Sequence, residues 1–308
     1  MMSISVVICS YSNERLHMVE RAVKSVEMQT LQPQEIIVVV DHNEELFKTL
    51  SNAYPDHQVI VNTGSRGLSG ARNSGVEASY GDIIAFLDDD ASAFETWLEH
   101  LVFPFEDPHV VATGGLIRPD FEAGAPKWMP EEFLWTVGCS YKGLPESETA
   151  IRNPIGASMA YRRDALTKSG LFDEKIGRIG SSPLGCEETE LAIRSTKLFS
   201  GAKIVYVPSS VVMHTVTSER GQAGYFLKRC YMEGISKALV ASRVGKAKAL
   251  ESERTYATVT LPKGFYSYIV SGFKGNRFDF SKAAFILGGL MATAAGYLKE
   301  KLVKSVRI

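Results

Sequence analysis

The 308 residues are 45% hydrophobic and 22% charged, with a net charge of −1; these ordinary values exclude a low-complexity, collagenous or strongly charged disordered chain. The near-zero net charge hides a split, because residues 1–216 carry 18 Lys and Arg against 29 Asp and Glu, whereas residues 217–308 carry 16 against 6. The four cysteines, Cys9, Cys139, Cys186 and Cys230, form no Cys-x-x-Cys pair, which argues against a zinc ribbon or disulfide scaffold and fits a reducing cytosol.

Taken in chain order, the sequence first alternates between two periodicities. Ile4–Cys9 is an apolar run that reads as a central strand, entered directly from Met1-Met2-Ser3 with no signal peptide visible. The polar loop Ser10-Tyr11-Ser12-Asn13 follows, with Asn13 placed to cap a helix over Glu14–Glu27 whose Leu16, Val19, Ala22, Val23 and Val26 recur at helical spacing. Glu35–Val40 is a second buried strand ending at Asp41, and a helix over Glu44–Tyr54 leads to a third strand, Gln58–Asn62. After Gly64, Gly67 and Gly70 a helix spans Ser69–Ser79, and the strand Asp82–Leu87 follows. This alternation predicts a doubly wound, mostly parallel α/β sheet.

Asp82–Leu87 runs straight into Asp88, Asp89 and Asp90. Three adjacent acids do not fit a core, since each buried unpaired charge costs several kcal/mol. They therefore lie beyond the strand's carboxyl end, where open α/β sheets bind ligands. Their mutual repulsion calls for a cation, and hard carboxylate oxygens suit Mg²⁺ or Mn²⁺. The plainer reading is an acidic loop in which Asp90 caps a helix over Ala91–Leu101.

Beyond the triplet the pattern loosens. Val110–Gly114 and Ala157–Tyr161 read as strands, Arg163–Ser169 and Glu187–Phe199 as helices, and Lys203–Val207 as a last strand ended by Pro208. Residues 118–152, rich in Pro, Gly and aromatics, read as a long functional loop region. From Thr217 the chain is basic and helical, which divides it into an acidic catalytic body, 1–216, and a C-terminal region, 217–308. Such a basic segment suits an anionic surface; no nucleic-acid motif accompanies it, so nucleic acid is not an expected partner. Residues 283–298 carry no charge, and at 1.5 Å per residue they extend roughly 24 Å, short of the ~30 Å hydrocarbon core. A buried helical hairpin and a segment lying in a membrane interface both satisfy that length.

Four pieces, in this order, resemble the family 2 glycosyltransferases: VVICSYSNE at Val6–Glu14, Asp41 after EIIVVV, the stretch from Arg66 to Ala91, and CEETELAIR at Cys186–Arg194. The resemblance covers about residues 3–215 and implies a GT-A fold with a Rossmann-like sheet, and inverting transfer from a nucleotide sugar. It implies that Ser10, Tyr11 and Glu14 line the nucleotide, that Asp41 accepts a hydrogen bond from a uracil ring N–H, and that Arg72 contacts the nucleotide. Asp89 matches a residue near the ribose and Asp90 the metal ligand, Asp88 is expected to be structural or to support them on the nucleotide-sugar side, and His214 matches a second ligand for Mg²⁺ or Mn²⁺. Glu188 stands where the catalytic base is expected, next to Glu187, in place of the family's usual Glu-Asp. Asn153–Met159, with Gly156 and Ala157, looks like the acceptor-side loop, and Trp128 and Trp135 lie where a sugar ring would stack or a core would form.

A second likeness, carried by Pro126–Pro145, Glu233–Ala238 and the segment ending at Gly296-Tyr297, is to members that extend polyprenyl- or dolichyl-phosphate-linked glycans, some of which transfer hexuronic acids. It implies a UDP-sugar donor, a glycan or polyprenyl-phosphate-linked acceptor, and a peripheral site at the cytoplasmic face of a membrane. Two rivals remain: a nucleotidyltransferase on a similar sheet, which would need a Gly-rich loop with a lysine where SYSNER stands, and a non-catalytic membrane-associated scaffold, which would have lost the acids. An NAD-dependent oxidoreductase is disfavoured, because no G-x-G-x-x-G follows the first strand.

Overall fold

The computed structural model describes residues 2–176, 185–244 and 251–306, and divides into two compact units. The first unit, Met1–Arg118, Pro145–Ser182 and Glu187–His214, is built on a mixed sheet. Strands β1 (Ile4–Ser10), β2 (Glu35–Val40), β3 (Gln58–Val61) and β4 (Ile83–Asp88) are parallel, in the order β3-β2-β1-β4. Their residues are apolar without alternation because helices cover both faces. Beyond β4 the sheet turns antiparallel, through β8 (Ser158–Arg162) to β6 (Val110–Phe121), β9 (Lys203–Val216) and the short β5 (Ala91–Ala93), while β7 (Thr149–Ile151) pairs with β9.

The helices of the first unit are α1 (Leu16–Glu27), α2 (Glu44–Ala53), α3 (Leu68–Ala78), α4 (Trp97–Val102), α5 (Arg163–Lys168) and α6 (Glu187–Leu198). Helix α1 buries Met18, Val19, Ala22, Val23 and Val26, the face its spacing predicted. Its entry differs from expectation: Asn13–Arg15 is a tight 3-10 turn capped by Ser12, and the Asn13 amide reaches across to Glu45 instead. Helix α3 lies close on the sheet because Gly75 has no side chain; a Cβ there would come within 2.5 Å of Val7.

Two sequence expectations fail for a shared reason. Ala91 does not begin a helix but pairs with β9, with Ala91 opposite His214, and α4 starts only at Trp97. Pro208 does not end its strand; β9 pairs with β7 at residues 204–206 and with β5 at 212–214, so the proline's missing N–H falls between the two ladders. Local signals marked a cap and a stop, and long-range pairing overrode both. The long loop region also holds structure: β6 extends to Phe121 and a 3-10 segment spans Glu131–Val137.

The second unit is Pro119–Leu144, Pro183–Cys186 and Thr215–Ile308, so residues 119–144 group with the C-terminal region. It contains α7 (Ala223–Val244), α8 (Glu251–Thr255), a π turn (Tyr256–Thr260), α9 (Leu261–Phe273) and α10 (Phe278–Val306). Phe133, Phe226, Cys230, Leu261, Tyr268, Ala283 and Ile286 form its core.

Candidate active site

The parallel registers bring the chemistry together. Cys9 lies opposite Asp88, and Ser10 opposite Val40, so the SYSNER loop, Asp41 and the acid triplet all leave the sheet at one edge, as open α/β sheets require. The antiparallel pairing of β5 with β9 then carries His214 to the same edge: its Nε2 lies 3.1 Å from Asp90 Oδ1. One ligand atom each from Asp88, Asp90 and His214 falls within 4.8 Å of the others. Ligands on opposite sides of one Mg²⁺ stand about 4.2 Å apart, at ~2.1 Å each, so small rotations of these side chains suffice to close on an ion. Two carboxylates and an imidazole suit Mn²⁺ or Mg²⁺. Asp88 thus stands in the candidate cluster with Asp90 and His214, a place its sequence position did not single out.

Asp89 turns elsewhere. Arg15 forks onto the acids, with Nη1 on Asp89 Oδ1 and Nη2 2.7 Å from Asp90 Oδ2. Burial pushes the Asp89 carboxyl up to about 7; Arg15 pulls against that, and Asp90 adds to it. Burial also works against the charge of Arg15, but Asp89 and Asp90 outweigh it and raise the guanidinium's pKa. The guanidinium lies 5.2 Å over the ring of Tyr11, which is 49% exposed and so presents its other face to solvent. Sequence reading passed over Arg15; the available signal was a cation four residues beyond Tyr11, one turn along the chain. Ser10 is buried beside Asp89, whereas Glu14 is exposed.

A second arginine ties together the loop around Gly156, the one expected to face the acceptor. Arg72 is 2% exposed and donates to Glu187 Oε1 at 3.0 Å, Asp88 Oδ1 at 3.1 Å and the Gly156 carbonyl at 3.2 Å. Burial opposes its charge, and Asp88 and Glu187 more than restore it. Gly156 is required here, since a Cβ would stand 2.8 Å from Arg72 Nη2. The neighbouring Ala157 is buried and accepts the Asp88 N–H through its carbonyl at 3.4 Å. Arg72 was expected to meet the nucleotide; in this structure its donors are turned to protein acceptors. Glu187 is buried with Oε2 unpartnered, while Glu188 is half-buried and its charge acts on both Arg72 and the Tyr161 hydroxyl.

Asp41 holds the turn between β3 and α3: Oδ1 accepts from Asn62 at 2.6 Å and Oδ2 from the Gly67 N–H at 2.9 Å. It is not the cap of α2, because Asn43 Oδ1 accepts from Leu46 N–H at 3.0 Å. Each carboxylate oxygen has two lone pairs, so Oδ2 retains an acceptor position for a ring N–H. Trp128 stands in the aromatic cluster of the second unit, 4.3 Å from Phe285 and edge-on to Phe226, and Trp135 Nε1 donates to the Tyr256 hydroxyl at 3.0 Å. For both rings the packing alternative is therefore realised.

The model of Glycosyl transferase family 2 matches residues 5–170. A glucosyl-dolichyl phosphate glucuronosyltransferase of Haloferax volcanii is 35% identical over 243 residues, which cover 78% of this chain and 77% of that protein. Among solved structures, the mannosyltransferase PcManGT from Pyrobaculum calidifontis, in complex with GDP-Man and Mn²⁺, aligns with a TM-score of 0.59 at 16% identity, over 95% of this chain and 87% of that one. GalNAc-T7 with UDP, GalNAc and Mn²⁺ aligns with a TM-score of 0.52 at 21% identity, over 79% of this chain and 50% of that one. At these identities the two structures establish a shared fold.

Proposed function

This chain belongs to glycosyl transferase family 2 and has the GT-A fold, and on that premise we propose that it moves a sugar from a UDP-sugar to a lipid-linked acceptor hydroxyl with inversion. Sugar transfer in glycan synthesis follows from the family and the glucuronosyltransferase relative. The observation that carries the finer reading is the cluster of Asp88, Asp90 and His214 at the carboxyl edge of the sheet.

In this reading Asp88, Asp90 and His214 would hold Mg²⁺ or Mn²⁺, which would supply Lewis-acid neutralisation of the diphosphate. Tyr11 lies against the uracil, and Asp41 Oδ2 accepts its imide N–H. Asp89 faces the ribose with Ser10 beneath it. Glu188, half-buried and placed so that its charge acts on Arg72, takes the acceptor proton as the hydroxyl attacks C1 from the face opposite the leaving UDP. Glu187 acts through Arg72, which fixes Gly156 and Asp88; it is a positioning residue. The length of Glu188, where the family usually has aspartate, brings the carboxylate one bond further toward the hydroxyl.

The likeness to a glucosyl-dolichyl phosphate glucuronosyltransferase supports a hexose or hexuronic acid as the transferred group and a dolichyl- or polyprenyl-phosphate-linked sugar as acceptor. The basic C-terminal region and the apolar α10 support a peripheral place on a membrane, at its cytoplasmic face, with 1–216 as the catalytic body and 217–308 as the membrane-side region. The nucleotidyltransferase reading lacks the lysine-bearing Gly-rich loop, and the scaffold reading lacks a reason for the retained acids. Proton NMR of the product tests the stereochemistry: an α-linked UDP-sugar should give a β-linked product, and an α-linked product would refute inversion.

A further inference from the structure

Helix α10 is long and apolar enough, over Phe278–Leu302, to cross a membrane by length and composition, and 22% of an 18-residue stretch within it is buried in the protein. Its two faces differ sharply. On one face Ala283 and Ile286 are in the core, and a Cβ on Gly289 would lie 2.6 Å from the Phe133 ring. The same side runs backbone to backbone along α7: a Cβ on Gly296 would stand 1.9 Å from the Tyr231 carbonyl oxygen, and one on Gly234 would stand 2.0 Å from that of Thr293. Helix α7 carries an ion network, Arg229 with Glu233 at 3.0 Å and Lys237 with Glu233 at 3.2 Å.

On the other face Phe280, Leu287, Met291, Leu298 and Leu302 are all exposed large apolar side chains. Their spacings of seven and four put them on one stripe with a mean period near 3.5, and exposed Ala284 and Ala294 fill the positions between. From residue 280 to residue 302 the stripe is roughly 33 Å long at 1.5 Å per residue. At the turn between α9 and α10, Phe273 is 81% exposed, with Lys274 and Arg277 exposed beside it. Lys299 and Lys301 are exposed at the far end.

We infer that α10 lies in the plane of an anionic membrane surface, with the Phe280–Leu302 stripe against the acyl chains and the basic residues at both ends on lipid headgroups. A spanning orientation is disfavoured because a membrane-crossing helix is apolar all round or packed on apolar partners, whereas this one is bound along its length to a helix bearing five charged side chains, Lys228, Arg229, Glu233, Lys237 and Arg243. One wide apolar face with cations at its edges is the pattern of an interfacial helix. A second copy of the chain fits less well. Coiled-coil pairing places opposite charges beside the seam, but residues 283–298 have none, and in either orientation the basic ends would meet basic ends. The inference deepens the membrane contact proposed above and rests on that reading for its purpose, which is to hold the enzyme where a lipid-linked acceptor lies.

The test uses the full chain with single cysteines introduced by Phe280→Cys, Met291→Cys and Leu302→Cys, and Glu20→Cys on the exposed side of α1 as control. Three native cysteines are buried and Cys9 is half-buried, so an environment-sensitive dye goes to the introduced site, with the unaltered chain as blank. With vesicles of phosphatidylglycerol and phosphatidylcholine, all three stripe labels should shift to the blue, and depth-graded brominated lipids should quench them at one shared depth, ~5–10 Å into the headgroup–acyl boundary. Quenching that places position 291 at the bilayer centre, with 280 and 302 at opposite interfaces, would overturn the inference in favour of a span. Blue shifts that need no lipid and grow with protein concentration, together with dimers in sedimentation velocity, would overturn it in favour of a second copy. As an independent measure, the double variant Met291→Glu/Leu298→Glu should partition onto vesicles at least tenfold more weakly while turning over a water-soluble short-chain acceptor at the unaltered rate. If no acceptor is turned over by any variant but the shared depth holds, the enzymatic reading fails and the membrane surface stands.

Discussion

The acid edge of the sheet and the face of α10 dispose of charge and apolar surface in opposite ways. At the acid edge, charged groups are buried or half-buried and paired, Arg15 with Asp89 and Asp90 and Arg72 with Asp88 and Glu187, and the His214 ring lies against Asp90. On α10, apolar side chains stand in the open and the charges keep to the two ends. Burying charge is costly enough that folding alone does not favour it, and exposing a contiguous apolar stripe is equally unfavourable in water. Each region gives up stability to present a surface, in the proposed reading the first to a cation and an anionic nucleotide, the second to lipid.

The comparison is broken most severely at the metal ligands. Asp90→Ala should lower turnover at least a thousandfold, ~4 kcal/mol of transition-state stabilisation, and abolish saturable Mn²⁺ binding in calorimetry, while vesicle binding through α10 is unchanged. Next comes the base: Glu188→Gln should cost ~10²–10⁴-fold in turnover with UDP affinity kept, and Glu188→Asp should retain measurable activity. Glu187→Ala should act differently, lowering the melting temperature as well as the rate, because breaking a buried pair typically costs ~3–5 kcal/mol and of the two ion pairs of Arg72 only that with Asp88 would remain. If Glu188→Gln is fully active and Glu187→Gln dead, the two roles are exchanged.

Arg15 sharpens the comparison further, because it holds the acids that the ion needs. Arg15→Gln removes a competing cation and should tighten Mn²⁺ binding in the absence of nucleotide by about tenfold, ~1.4 kcal/mol; unchanged or weaker Mn²⁺ affinity would show that Arg15 does not compete. The smallest effect lies in α7. Burial raises the pKa of Glu233, but Lys237 and Arg229 outweigh it and hold it down at about 2 against an ordinary 4.5. A depressed carboxyl contributes stability that is full above about 4.5 and is lost as pH falls through about 2. The destabilisation caused by Glu233→Gln, read from urea melts, should therefore be constant from pH 7 to 5 and shrink between pH 4 and 2.5.

Much of this was legible in the sequence, where local pattern and tertiary need agreed. The four parallel strands show as unbroken apolar runs, and the acids at their ends show the functional edge. What local pattern misjudged was decided by pairing at a distance: Ala91 joins a strand because β9 offers it a partner, and that same pairing brings His214 to Asp90. Arg15 was missed because one arginine after a turn carries no periodicity, and its fork onto Asp89 and Asp90 depends on the register of β1 against β4. The stripe on α10 was half visible: composition marked residues 283–298 as uncharged, but which face is covered depends on the glycine contacts with α7.

The central claim, a metal-assisted transfer from a uridine nucleotide at the Asp88–Asp90–His214 edge, is tested most directly by following nucleoside diphosphate release from a panel of UDP- and GDP-sugars with a polyprenyl-phosphate-linked hexose as acceptor. The account predicts UDP release from at least one UDP-sugar, stopped by EDTA, restored by Mn²⁺ or Mg²⁺, and absent in Asp90→Ala. Full release in chelator, or turnover of GDP-sugars alone, would contradict it.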